Sequence, residues 1–293
     1  MLKSFSIGVK DTNSRIARSI NIIKRNLDKY RSDELAVCFN GGKDSTVLMF
    51  LLFLCYKSKG ANLLPKELRV VCVTEEREFE DLRIFRERVS KIRKFAITYL
   101  PPPMKKSLND LVRSDKIRAV FSGQRVGDPG AKNIAEETPS DNGYEPFLRI
   151  NPILRWSHGD VWDFIKANRV PYCELYRKGY TSLGIPPFSL KNPFLSQGPN
   201  RFYPAWDLRL WETERMGRGV PLRDFNGAGN PRVCLVVSKD ALPISKTQLE
   251  FARQNFRHLI AANLKSGLLP DIVILDRKDF NEAKKDFDLA YFL

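Results

Sequence analysis

Residues 35–56 read LAVCFNGGKDSTVLMFLLFLCY. Two apolar runs flank a tight Asn-Gly-Gly-Lys-Asp-Ser turn. Leu35–Phe39 has the composition and length of a buried strand, and Thr46–Ser58 that of a buried helix. A strand that breaks on two glycines and resumes as a helix brings backbone N–H groups together, and the helix start adds unpaired donors and partial positive charge. The expected ligand is therefore an anion. Lys43 adds a cation. Asp44 would repel phosphate unless a divalent metal intervened, so an Mg²⁺-bound polyphosphate reconciles the two neighbours. Without a ligand, the stretch reads as a glycine turn capped by Asp or Ser. The G-x-x-x-x-G-K-[ST] phosphate loop is excluded, because Gly42-Lys43 is followed by Asp44 and the position five before Gly42 is Val37.

The flanking sequence extends the pattern in both directions. Ile16, Ile20, Ile23, Leu27 and Tyr30 recur at steps of three and four, predicting an amphipathic helix over 14–30. LRVVCVT (68–74), FAITYL (95–100) and IRAVFSG (117–123) read as further strands, with helices over 79–94 and around 107–115. This β-α-β-α-β-α-β alternation with continuous apolar strands predicts an α/β fold, a mainly parallel doubly wound sheet of Rossmann-like type. Ligands in such sheets bind beyond the carboxyl ends of the strands. NGGKDS, EEREFE (75–80) and GQRVGDP (123–129) all follow strands at that end. The polar stretch 130–145 reads as a mobile loop. Residues 185–230, rich in Pro, Gly and Asn, read as irregular. RVCLVVSK (232–239), a helix over about 246–265, DIVILD (271–276) and a short helix read as an appended β-α-β-α unit. The expected division is thus 1–184 for nucleotide binding, 185–230 for an irregular substrate segment and 231–293 for the appended unit.

Composition narrows the class. The 293 residues carry a net charge of +15, with 43% hydrophobic and 28% charged residues, as in an ordinary water-soluble protein with a polyanionic ligand or a generally basic surface. No run reaches the roughly 18 apolar residues of a membrane span, and the first residues carry no secretory h-region, so a cytoplasmic protein is expected. Five dispersed cysteines without a C-x-x-C pair, and only two histidines, disfavour a zinc site or disulfide framework and point to a reducing compartment. No Ser-His-Asp or Cys-His arrangement is evident, so no covalent nucleophile is expected.

Other constellations fit an anionic substrate. Arg125 in GQRVGDP offers a two-point grip on phosphate. Asp128 either orients that group or reaches a second substrate, while the same residues also make an ordinary strand-end turn. Ser157 and Asp160 in WSHGDVW have capping-box spacing. Trp162 reads as core; Trp156 reads as core or as the border of a flat ring. Arg215 and Arg218 in ETERMGR share one face if helical, suiting either a phosphate monoester or a solvated face paired with Glu212 and Glu214.

FNGGKDS resembles the pyrophosphate loop, S-G-G-K-D-S, of the adenine nucleotide alpha-hydrolase superfamily. NPILRWSHGDVWDFI (151–165), GYTSLG (179–184), FYPAWDL (202–208) and ETERMGR (212–218) resemble the eukaryotic FAD synthases, the FMN adenylyltransferases of its PAPS-reductase-like branch. The resemblance runs over about 35–218. It implies a nucleotidyltransferase that moves AMP from Mg·ATP to FMN, giving FAD and pyrophosphate, with ATP and FMN as small-molecule partners and Mg²⁺ as cofactor. It further implies that Asn40, Gly41, Gly42, Lys43, Asp44, Ser45, Gly123 and Arg125 hold ATP and the leaving pyrophosphate, with the magnesium at Asp44. Asp128, Asp160, Tyr180, Arg215 and Arg218 are placed at the second substrate, FMN. Asn40, Asp44, Arg215 and Arg218 are the catalytic candidates. Val126 departs from the family's G-x-R-R-x-D-P, which carries a second arginine there. A monomer without membrane partners is expected. The competing expectation is a tRNA-modifying enzyme that adenylates a base with the same loop. The positive charge suits it, but the cysteines are not placed for thiolation.

Overall fold

The computed structural model describes residues 10–74, 77–198, 201–221, 232–237, 250, 253–254, 256–257, 259–260 and 272–292. The chain forms two compact units. One comprises Met1–Glu76 and Glu80–Cys173, the other Arg77–Phe79 and Glu174–Leu293.

The first unit runs α1 (Lys10–Lys29), β1 (Leu35–Cys38), α2 (Lys43–Ser58), β2 (Arg69–Val73), α3 (Glu80–Arg93), β3 (Thr98–Leu100), α4 (Met104–Asp115), β4 (Ala119–Phe121), β5 (Glu137–Pro139), β6 (Leu148–Ile150) and α5 (His158–Ala167). Its sheet has the order β3-β2-β1-β4-β6-β5, parallel throughout except for β5, which pairs antiparallel with β6. Leu35, Ala36 and Val37 of β1 are wholly buried, so both faces of the strand are covered, as in a parallel sheet packed on both sides. Ala36, Val71 and Val120 pack on Leu108, Leu111 and Val112 of α4. Helix α2 packs against α1 and α5. The chain steps outward from β1 through β2 to β3 and then returns to β4 on β1's other side. A topological switch point therefore lies between the carboxyl ends of β1 and β4, where an open α/β sheet places its ligand.

The parallel doubly wound fold read from the sequence is the observed one. Two local readings are corrected. Residues 130–145, read as a mobile loop, contain β5, which Arg25 and Asn26 of α1 anchor through Glu137. Helix α2 starts at Lys43 rather than Thr46, because Gly42 is its N-cap and the polar residues Lys43–Ser45 form its first turn.

The second unit is built of short 3-10 turns and a separate sheet. Strands β7 (Gly219–Pro221), β8 (Val233–Val237), β9 (Ile272–Asp276) and β10 (Leu289–Phe292) take the order β7-β10-β8-β9, and helix α6 (Arg277–Ala283) follows β9. Both faces are covered. Val233, Leu235 and Tyr291 belong to one apolar cluster, and Cys234, Val236, Phe280, Phe287 and Ala290 to another. The helix predicted over 246–265 and His258 lie largely outside the described residues; positions 250, 253–254, 256–257 and 259–260 are helical.

Candidate active site

In the first unit the chain leaves β1, turns over Asn40–Gly42 and enters α2. Gly41 stands at φ +81°, and a Cβ there would meet Leu82 and the Arg86 Cβ at 3.3 Å, so the turn needs glycine on both counts. Asn40 Oδ1 accepts from the Gly42 N–H at 2.9 Å and from the Ser45 hydroxyl at 2.8 Å. The carboxamide thereby fixes the curvature of the loop that leads into α2. Lys43 is 2% exposed, and its Nζ lies 2.9 Å from Asp44 Oδ2. Arg125, 5% exposed, brings its Nε to 2.7 Å from Asp44 Oδ1. Asp44 is thus held between two buried cations, so that each buried positive charge has a carboxylate oxygen within ion-pair distance.

Loop 123–128 reaches this place because Gly123 has no side chain. A Cβ there would fall 2.9 Å from the Ser45 backbone nitrogen. Asp128 spends its carboxylate on the Arg125 N–H at 2.9 Å and its own N–H on the Arg125 carbonyl at 2.8 Å. It shapes the turn that aims Arg125. Val126 donates its N–H to the Leu154 carbonyl and is 44% exposed. Asp160 completes the predicted capping box at α5: its Oδ2 accepts from the Ser157 N–H at 2.7 Å, and its N–H donates to Ser157 Oγ at 3.1 Å. It also pairs with Arg15. Trp156 and Trp162 are both buried.

Arg86 escaped the sequence reading. It is 1% exposed, donates to the Asn40 carbonyl at 3.2 Å and stacks over the Tyr99 ring at 5.3 Å. It braces the loop from behind. The available signal was a charge on the apolar face of α3, in register with Leu82 and Val89.

The second unit holds Tyr180, Arg215 and Arg218. Tyr180 is half-buried and meets Phe79 edge to face at 5.4 Å. Arg215 and Arg218 do not share a helix face, as the spacing suggested. They begin and end a turn closed by the Arg218 N–H on the Arg215 carbonyl at 2.8 Å. The Arg218 guanidinium donates to Ser182 Oγ at 3.3 Å and to the Leu183 carbonyl. It lies across Gly184, where a Cβ would sit 2.5 Å from Cζ.

A buried amide ties these segments together. Asn192 Nδ2 donates to Thr181 Oγ1 at 3.1 Å and to the Thr213 carbonyl at 2.9 Å, and its Oδ1 accepts from the Phe194 N–H at 3.0 Å. Thr181 in turn donates to the Glu214 carbonyl at 2.6 Å. The loop 179–184 and the arginine-bearing turn are thereby joined through Asn192, which nothing in the sequence singled out. Nearby, the Lys191 Nζ lies 4.8 Å above the Phe202 ring, and burial and the neighbouring Lys178 lower its pKa from the ordinary lysine value.

Among the described residues no three His, Cys, Asp or Glu side chains cluster as a metal site. Asp44 is a single hard oxygen donor, which fits a metal brought in by a polyphosphate rather than one resident in a protein cage.

Residues 102–190 match the phosphoadenosine phosphosulfate reductase domain family. The chain is 33% identical over 220 residues to a probable FAD synthase of Schizosaccharomyces pombe, a match covering 73% of this chain and 83% of that protein. It is 34% identical over 206 residues to a probable FAD synthase of Caenorhabditis elegans, covering 68% of this chain and 39% of that longer protein. The fold is also that of Candida glabrata FMN adenylyltransferase, solved in complex with FMN and the ATP analog AMPCPP. That structure has a TM-score of 0.65 at 23% identity, with 73% of this chain and 94% of the other covered. The glycine-lysine-aspartate loop at the sheet's switch point and this extent of identity lead to one assignment: the chain belongs to the FAD synthase family.

Proposed function

We propose that this protein transfers the adenylyl group of ATP to the phosphate of FMN, forming FAD and releasing pyrophosphate. The observation that carries the reading is the identity extending over 83% of the fission yeast protein; the loop at Asn40–Ser45 supplies the matching chemistry. An FMN phosphate oxygen attacks the α-phosphorus of ATP, the Pα–O–P bond to the β-phosphate breaks, and pyrophosphate departs with the electron pair. The attacking oxygen is already anionic, so no general base is required. Alignment and charge neutralisation supply the catalysis.

Asn40, Gly41, Gly42 and Ser45 shape the cradle for the leaving pyrophosphate, with the α2 N-terminus beneath it. Lys43 and Arg125 neutralise its charge, and Gly123 lets Arg125 approach. Asp44 would hold Mg²⁺ bound to the nucleotide, where the metal would offset charge building on the departing oxygens. Arg215 and Arg218 take the FMN phosphate, Arg218 pre-aimed by the Leu183 carbonyl and Ser182. Tyr180, stacked edge-on against Phe79, borders a flat ring. Asp128 and Asp160 serve by fixing their loops, through the Arg125 turn and the α5 cap. Cysteines present as thiols suit a reducing compartment, and we place the protein in the cytosol.

Incubation with FMN, ATP and Mg²⁺, followed by flavin separation and a pyrophosphate assay, tests the reading. Equimolar FAD and pyrophosphate are expected. ATP binding without FAD formation would overturn it.

A further inference from the structure

The sheet β7-β10-β8-β9 carries no chemistry of its own among the described residues, yet one of its faces is packed against the segments that hold the two arginines. Met216, between Arg215 and Arg218, is 1% exposed and belongs to one apolar cluster with Phe188, Leu190, Val233, Leu235 and Tyr291. The chain then runs directly from Arg218 into β7, which pairs antiparallel with β10 in the register Tyr291↔Gly219. At that crossing the backbone and ring are in close contact: a Cβ on Gly219 would lie 2.8 Å from Tyr291 Cζ. Leu190, two residues before the Asn192 hub, donates its N–H to the Gly217 carbonyl at 2.7 Å. The arginine-bearing turn is therefore fixed by a hydrogen-bonded hub and by an apolar plug seated on the sheet.

We infer that the C-terminal sheet is a positioning scaffold for Arg215 and Arg218, and that Met216 is the residue through which it acts. The inference rests on the reading that these arginines bind the FMN phosphate. Its physical basis is that an exposed four-residue turn cannot by itself hold two long cationic side chains. Each would lose rotamer freedom on binding phosphate, and a buried residue between them removes much of that cost beforehand. On the opposite face of the same sheet, Val236 packs with Cys234, Phe280, Phe287 and Ala290 in a separate cluster. That difference separates positioning from mere stability.

The experiment measures FMN affinity by quenching of flavin fluorescence, KM for ATP and FMN, and Tm, in Met216→Ala, Met216→Leu, Val236→Ala and Arg218→Ala variants of the full chain. Met216→Val replaces Met216→Ala if the latter does not fold. Met216→Ala is expected to weaken FMN binding by about tenfold or more while leaving the KM for ATP within about twofold, since small misplacements of a binding group carry large penalties. Met216→Leu, close in volume, is expected to restore FMN affinity. Val236→Ala is expected to lower Tm with FMN affinity unchanged. Normal FMN binding by Met216→Ala alongside weakened binding by Arg218→Ala overturns the scaffold alone. Equal weakening by Val236→Ala and Met216→Ala also overturns it. Normal FMN binding by Arg218→Ala instead overturns the phosphate assignment beneath it.

Discussion

The Asn40–Ser45 loop and the Thr213–Arg218 turn present cations by different physical means. In the first, regular structure does most of the work: a buried strand ends, a glycine takes a positive φ, and a helix N-terminus follows within six residues. Lys43 is carried on the first turn of that helix, and the side chains of Asn40 and Arg86 steady the loop before it. In the second, no helix or long strand is available. The turn is held by side chains from sequence-distant segments, with Asn192 and Thr181 bonded to its carbonyls and Met216 buried beneath it. The loop is rigid because of its local fold, the turn because of what surrounds it.

The largest effect expected from breaking this comparison is at the loop. Asp44→Ala leaves Lys43 and Arg125 without their shared partner and removes the metal donor, so FAD formation should fall by about a thousandfold or more, with residual ATP binding measurable by titration. Near-normal turnover would remove Asp44 from the site. Next comes Arg218→Ala, for which kcat/KM for FMN should drop about a hundredfold while KM for ATP stays close to wild type. Arg218→Lys should recover only part of the loss, because an ammonium cannot reproduce the guanidinium's forked donors. Wild-type kcat/KM for FMN in Arg218→Ala would sink its role.

Two glycine substitutions sharpen the contrast further. Gly123→Ala presses on the Ser45 backbone, which cannot yield, whereas Gly184→Ala presses on the Arg218 guanidinium, the far end of a flexible side chain. Both should affect one substrate only. The first should raise KM for ATP by about tenfold or more, and the second should raise KM for FMN by several-fold. Effects on both substrates from either change would argue against separate roles.

The smallest expected effect concerns the thiols. Burial pushes Cys55 and Cys234 up to about 11. The folded protein therefore keeps protons that the unfolded chain gives up near its ordinary thiol pKa of about 8.5. Stability from this source is fully present below that value and declines as pH rises toward 11. Native protein at pH 8 should label slowly with a thiol reagent at these positions, and Cys234→Ala should flatten part of the alkaline decline in urea resistance. Rapid labelling of Cys234 in folded protein would contradict its burial.

Much of the first unit was legible because its signals are local. Leu35–Phe39, the two glycines and the apolar helix after them identify a strand–turn–helix without any knowledge of neighbours, and Ser157 with Asp160 identifies a cap from its spacing alone. Strand β5 was missed because Glu137–Pro139 carries no apolar run, unlike the equally short β3 and β4, which lie inside FAITYL and IRAVFSG; it owes its conformation to pairing with β6 and to α1. Arg215 and Arg218 were legible as a pair but not in their geometry, since the helix implied by three-residue spacing competes with a turn stabilised by residues distant in sequence, among them Asn192, Thr181 and Leu190. Asn192 was hidden because a buried polar residue in an irregular segment looks, in sequence, like an exposed one, whereas Arg86 was marked by its register with Leu82 and Val89 on the apolar face of α3.

The α/β class, the strand–glycine turn–helix start with its lysine and aspartate, and the family were readable in the sequence, because strand, glycine turn and helix start are encoded within a few residues. The tertiary structure alone decided that Asp44 is shared by Lys43 and Arg125, that Arg86 stands behind the loop, and that the arginine-bearing turn is seated on a separate sheet. Apart from the Lys43–Asp44 pair, those contacts join residues tens of positions apart. Their energies depend on burial and distance, which exist only once the chain has folded.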